Sequence, residues 1–218
     1  MTHFLFLIFS VFFLHTTNAN GTTKNSTAFL AFASTEKLRS EIQFIAPNEY
    51  NFTDLNPLLK GPKGVLITVG TFRALHAASL ANFDEVYLID SNKVAIDFNL
   101  NHLEAISSSQ NREEYLNKLF QSDKASILIQ EAYANKISLK KLSKLLQSLS
   151  ISSEDPRGLS AQFPFGDFYQ HRLIDFITNP VLFENSFLGS DYLFNRLHRL
   201  IINGKLKVLP GSIAGSKS

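Results

Sequence analysis

The sequence predicts an α/β protein built on a doubly wound, partly parallel sheet with flanking helices. Three observations carry that expectation. Gly64 to Val69 is an apolar run interrupted only by Thr68, and it stops at Gly70. Ala74, Leu75, Ala77, Ala78 and Leu80 then supply a short helix. Glu85 to Ile89 reads as a second strand, apolar from Val86, and it closes on Asp90. Strand, tight turn, helix and a strand ending in a carboxylate make one turn of such a sheet, whose ligands gather at the carboxyl ends of the strands.

At 218 residues the chain suits one domain, and 44% hydrophobic residues are enough for a packed core rather than a disordered chain. The boundaries read as a signal peptide over 1–19, a leader, helix and loop over 20–63, and the α/β domain over 64–218. That domain carries a helical insertion at about 110–200. A formal charge of +2 and a pI near 8.7 are too mild for a dedicated nucleic-acid binder, so nucleic acid is not an expected partner. The absence of cysteine excludes disulfides, thiol nucleophiles and thiolate metal sites.

The N-terminus points to export. Phe4 to Leu14 is apolar without a charge, then His15-Thr16-Thr17 turns polar, and Thr17 and Ala19 place small residues at −3 and −1 of a cleavage site. The run suits a secretory h-region and falls short of the roughly 20 residues that span a bilayer. A periplasmic or secreted protein is therefore expected, with no stable membrane span once the signal is removed. Only His3 stands in for a basic n-region, and a buried N-terminal strand or an uncleaved anchor stays open as the alternative. Asn20-Gly21-Thr22, Asn25-Ser26-Thr27 and Asn51-Phe52-Thr53 match the glycosylation sequon and receive no role.

After a polar leader at 20–27, Leu38, Ile42 and Ile45 have helical spacing, capped by Ser34 or Thr35 and stopped at Pro47. Residues 46–63 hold Pro47, Pro57, Gly61 and Pro62 and read as a loop. Val65 to Val69 follows as a strand buried on both faces. Beyond Asp90 a helix runs from Ser91 to about Ser107, with Val94, Phe98 and Leu103 toward the core. Two more follow over 112–121 and 138–149, the latter with Leu142, Leu145, Leu146 and Leu149 inward and Lys140, Lys141 and Lys144 on a solvated face. Ile127 to Ile129 reads as a short strand. Ser150 to Gly158 is a loop, and a helix from Asp167 ends at Asn179-Pro180. The last helix is capped by Ser190, carries Asp191 in its first turn, buries Leu193, Phe194, Leu197, Leu200 and Ile201, and ends at Gly204. Leu206 to Leu209 is the third strand. Three strands are few for a doubly wound sheet, and Ala214 to Ser218 reads as a tail, as if further strands were missing.

Gly70 and Asp90 form the sharpest constellation. A turn without side-chain bulk lets backbone N–H groups face a ligand at a helix N-terminus, where partial positive charge gathers. A carboxylate closing the next strand is placed to accept hydrogen bonds from ribose hydroxyls. Over residues 64–105 these features resemble class I S-adenosylmethionine-dependent methyltransferases, whose fold is Rossmann-like. They are similar also to bacterial methyltransferase-like proteins whose turn reads Val-Gly-Thr. The resemblance implies S-adenosylmethionine as cofactor, held by Gly70, Thr71 and Asp90. The family pattern would place an acidic residue at Thr68 and glycines at Phe72 and Ala74, and of its glycines only Gly70 is present. The other reading of the same residues is structural, with Gly70 making a tight turn and Asp90 capping the next helix.

Elsewhere the chemistry is sparse. Arg73 at the helix start suits an anion or a surface ion pair. His171 and Arg172, with Asp167, Tyr169 and Asp175, form a dense polar cluster in which Asp167 and His171 are spaced as a helix-surface pair or as a base with its orienting carboxylate. The six histidines show no metal-binding spacing, and no serine sits in a nucleophile-elbow context. No catalytic residue and no metal ligand is assigned. The expected protein is thus an exported methyltransferase-like α/β domain with a small-molecule ligand, or a non-catalytic binding or interaction protein that keeps the fold.

Overall fold

The computed structural model describes residues 12–14, 64–151 and 173–211. Its centre is a sheet of β1 (Phe12–Leu14), β2 (Val65–Val69), β3 (Glu85–Asp90) and β4 (Leu206–Pro210), in that spatial order. β2, β3 and β4 are parallel, and β1 pairs antiparallel with the other edge of β2. The mixed α/β architecture with a small parallel sheet is compatible with the Rossmann-like class. β1 lies within the apolar run read as a signal h-region, and it pairs as an edge strand on β2. The rest of that run, the 35–47 helix, the 46–63 loop, the three sequons, the cluster of Asp167, Tyr169, His171 and Arg172, and the 214–218 tail lie outside the described residues.

Seven described helices surround the sheet: α1 (Phe72–Leu80), α2 (Lys93–Ser107), α3 (Arg112–Phe120), α4 (Ala125–Tyr133), α5 (Leu139–Ile151), α6 (Pro180–Glu184) and α7 (Asp191–Ile202). Residues 173–177 are also helical. Caps explain the boundaries. Ser190 accepts the Leu193 N–H, Asp191 follows in the positive first turn, and Gly204 at φ +65° ends α7. Asn111 accepts the Glu114 N–H while the Glu114 carboxylate reaches back to the Gln110 N–H, a reciprocal cap that starts α3.

Two expectations need correction and one is extended. Ile127 to Ile129 is part of α4, where Ala125, Ile129 and Ala132 are buried at helical spacing and Ile127 is exposed. A three-residue apolar window is too short to distinguish the two periods. Asn179-Pro180 stops the preceding helix as expected and also starts α6, with the Asn179 side chain accepting the Leu182 N–H. Proline suits a first helical position because its missing N–H would have had no partner there. Finally, β3 rather than β2 is the strand buried on both faces: Val86, Tyr87, Leu88 and Ile89 are all buried, whereas only Leu66 is in β2. β3 lies between two parallel neighbours, and β2 lies one strand nearer the edge.

Register aligns the core. Leu66, Val86 and Leu206 sit side by side across β2, β3 and β4, as do Thr68, Leu88 and Val208 one pleat on. Leu66, Val86, Leu88 and Leu206 join one buried cluster with Leu75, Phe98, Ile106, Phe194 and Leu197 from α1, α2 and α7. The opposite face carries buried Tyr87 and Ile89, with Lys207 5.5 Å over the Tyr87 ring. Arg196 ties α7 to α1. Only 8% exposed, it donates to the carbonyl of Ser79 at 3.3 Å and to that of Leu80, and its guanidinium lies 4.5 Å over the Tyr192 ring. A cation at those carbonyls meets the negative end of the α1 dipole, which offsets the cost of burying it.

Candidate functional site

Parallel pairing of β2 with β3 brings the carboxyl ends of both strands to one rim. Val69 is opposite Ile89, so Gly70 and Asp90 stand next to each other although twenty residues separate them in sequence. β4 joins the same rim, with Asp90 opposite Pro210 and the Gly211 N–H donating to the Asp90 carbonyl at 2.9 Å.

Gly70 turns the chain at φ +103°, a conformation that costs a side-chain-bearing residue about 1–3 kcal/mol. A methyl built at that position would meet no heavy atom of the described residues within 4 Å, so the space among them beside the turn is open and the demand for glycine is conformational. Thr71 follows and is buried at 3% exposure. Its carbonyl accepts the N–H groups of Ala74 and Leu75 at 3.0 and 3.1 Å, while its hydroxyl does not cap α1. Thr71 therefore contributes backbone rather than an exposed hydroxyl.

The Asp90 carboxylate accepts the Asn92 N–H at 2.9 Å, an Asx turn that starts α2. Burial holds the Asp90 carboxyl above its ordinary range, and hydrogen bonds from the backbone of Asn92, Gly70 and Ser91 pull the other way. The structure thus sets the two sharpest residues of the sequence side by side at one rim. The Asp90 carboxylate there makes the helix-capping bond to Asn92, the arrangement of the structural reading.

Phe72, at one of the expected glycine positions, points into the core at 8% exposure. Its ring stacks on Phe187 at 5.6 Å and meets Phe98 and His102 edge-on at 5.7 and 5.2 Å. His102 is fully buried, with Nδ1 2.7 Å from the Tyr115 hydroxyl. Burial drives its pKa down to about 3, so the ring is neutral, and burial raises Tyr115 well above the usual phenol range. Ala74, at the other expected glycine, is 1% exposed. Both positions serve packing of α1 against its neighbours.

Sequence reasoning missed Asn99. Its Nδ2 donates to the Gly70 carbonyl at 2.8 Å, and it is 1% exposed. An asparagine on the buried side of an apolar helix is the signal that points to it, since buried amides need a partner. Arg73 is half-buried, and its charge, after burial, helps lower the neighbouring His76 to about 4. Asp175, the one described member of the His171 cluster, is exposed. Among the described residues no three His, Asp or Glu side chains gather as a metal site, and no helix is long and apolar enough to cross a membrane.

Residues 44–218, most of the chain, match the family model described as "Domain of unknown function (DUF7790)". The chain belongs to that family. A search of curated proteins found no match to the DUF7790 chain.

Proposed function

We propose that this chain is a methyltransferase-like protein that binds S-adenosylmethionine at the carboxyl ends of β2 and β3. The observation that supports this most is the placement of Asp90 beside Gly70 on one rim, with open space beside the Gly70 turn among the described residues. Asp90 would hold the ribose hydroxyls and the backbone of Gly70 and Thr71 would face the rest of the ligand, which supplies an activated methyl group when bound. The unprotonated carboxylate is the form that accepts two hydroxyls, so burial of Asp90 makes binding weaken at acid pH. Calorimetric titration with S-adenosylmethionine and S-adenosylhomocysteine tests the reading. Micromolar binding that Asp90→Ala weakens at least tenfold, with the fold intact by circular dichroism, is the expected result; equal affinity in the variant sinks the assignment.

A second reading is a non-catalytic binding or interaction protein that retains the fold. Two observations favour it: the Asp90 carboxylate is already engaged by its own backbone, and Phe72 fills the core where the family pattern has glycine. A well-folded wild-type chain that binds neither compound decides for it. Export is also proposed, on the apolar run and the small residues at Thr17 and Ala19. Cleavage after Ala19 would remove β1 and bare the edge of β2. Intact mass of the protein recovered from the exported fraction tests this, and a chain that still begins at Met1 refutes cleavage.

A further inference from the structure

Both polar groups of Gly70 are claimed by the β3–α2 unit. Gly70 lies beside Asp90 at the end of β3, whose carboxyl its N–H helps hold down, and its carbonyl receives the Asn99 amide from α2. Asn99 and Gly70 are 29 residues apart, so this is a tertiary clamp and not a local turn bond. The amide is held at a cost. Its Oδ1 is buried without a hydrogen-bond partner among the described residues, which is worth about 1–3 kcal/mol against the fold. Rotating the amide would set that oxygen against the Gly70 carbonyl and lose the one bond it makes, so the Gly70 carbonyl dictates its orientation. An apolar side chain of similar shape would fill this space without the orphan oxygen.

We propose that Asn99 is the positioning residue of the strand-end site, holding the Gly70 carbonyl so that the turn keeps its left-handed conformation beside Asp90 and its open side stays clear for a ligand. The role in ligand binding rests on the reading above; the clamp itself does not. Without Asn99, the Gly70 carbonyl loses this bond, and the turn at φ +103° loses a restraint on the Gly70–Thr71 peptide.

The test is amide hydrogen exchange on the ligand-free chain, comparing wild type with Asn99→Ala, followed by calorimetry with S-adenosylhomocysteine. Protection of the Gly70 amide is expected to fall at least tenfold in the variant while that of Leu88 in the sheet centre is retained. Affinity for S-adenosylhomocysteine is expected to fall at least tenfold alongside. Unchanged Gly70 protection, or an equal fall at Gly70 and Leu88, overturns the clamp, because a residue that merely supports the core would loosen both. If Asn99→Ala does not fold, Asn99→Ser, smaller and still polar, carries the same comparison. Wild-type chain that does not bind the probe overturns the role in ligand binding, and the exchange result still decides whether Asn99 holds the turn.

Discussion

Lowering the pH from 7.5 to 5 is expected to cost the fold about 4 kcal/mol through two buried histidines. His76 on α1 is 2% exposed, and its pKa is lowered to about 4 by burial and then by the charge of Arg73. His102 on α2 is fully buried among Phe72, Phe98 and Tyr115, and its pKa is lowered to about 3 by burial. In the unfolded chain both titrate near 6.5. The unfolded state therefore binds more protons between about 6.5 and the folded values, so stability is complete above that range and falls as the pH drops through it. At pH 5 the unfolded histidines lie about 1.5 pH units below their pKa while the folded ones are still neutral, which is about 2 kcal/mol each. Asp90 acts with the opposite sign: its raised pKa lets the folded state take a proton first, which recovers part of the loss as the pH falls. Set against the 5–15 kcal/mol typical of a domain, a loss near 4 is large. Urea unfolding followed by circular dichroism at several pH values between 7.5 and 5 reads it, as a midpoint falling by about 2 M for a slope near 2 kcal/mol/M. His76→Gln with His102→Asn removes both titrations, and the double variant should show a much flatter profile. Equal losses in wild type and double variant would refute the reasoning.

Phe72→Ala should destabilise the chain by about 3–5 kcal/mol in the same assay, because it empties the centre of an aromatic cluster that joins α1, α2 and the segment at Phe187. Arg196→Met is expected to cost about 1.5–3 kcal/mol by leaving the carbonyls of Ser79 and Leu80 without their charged donor; a thermal midpoint unchanged from wild type would show that the α1 terminus does not depend on it. Gly189→Ala would place a methyl 2.2 Å from the Phe183 carbonyl oxygen, so backbone must move and a loss of about 1–3 kcal/mol is expected in thermal unfolding.

The sequence by itself determined the elements whose signals are local. β2, α1, β3 and α2 follow from apolar period and from Gly70 and Asp90 as punctuation, and α7 from Ser190, Asp191 and Gly204, all of which act within a few residues of where they stand. Ile127 to Ile129 misled because three residues hold too little period, and α6 went unread because the proline that ends one helix also begins the next. Only tertiary structure decided which strands are neighbours and what the site residues do with their hydrogen bonds. Phe72 reads as a missing glycine until α2 and Phe187 close around it. Asn99 and Arg196 are ordinary helix residues in sequence, yet they hold backbone groups 29 and 117 residues away. Periodicity reports which face of an element is buried; which buried polar group meets which backbone atom depends on how the elements pack, and no local pattern encodes that distance.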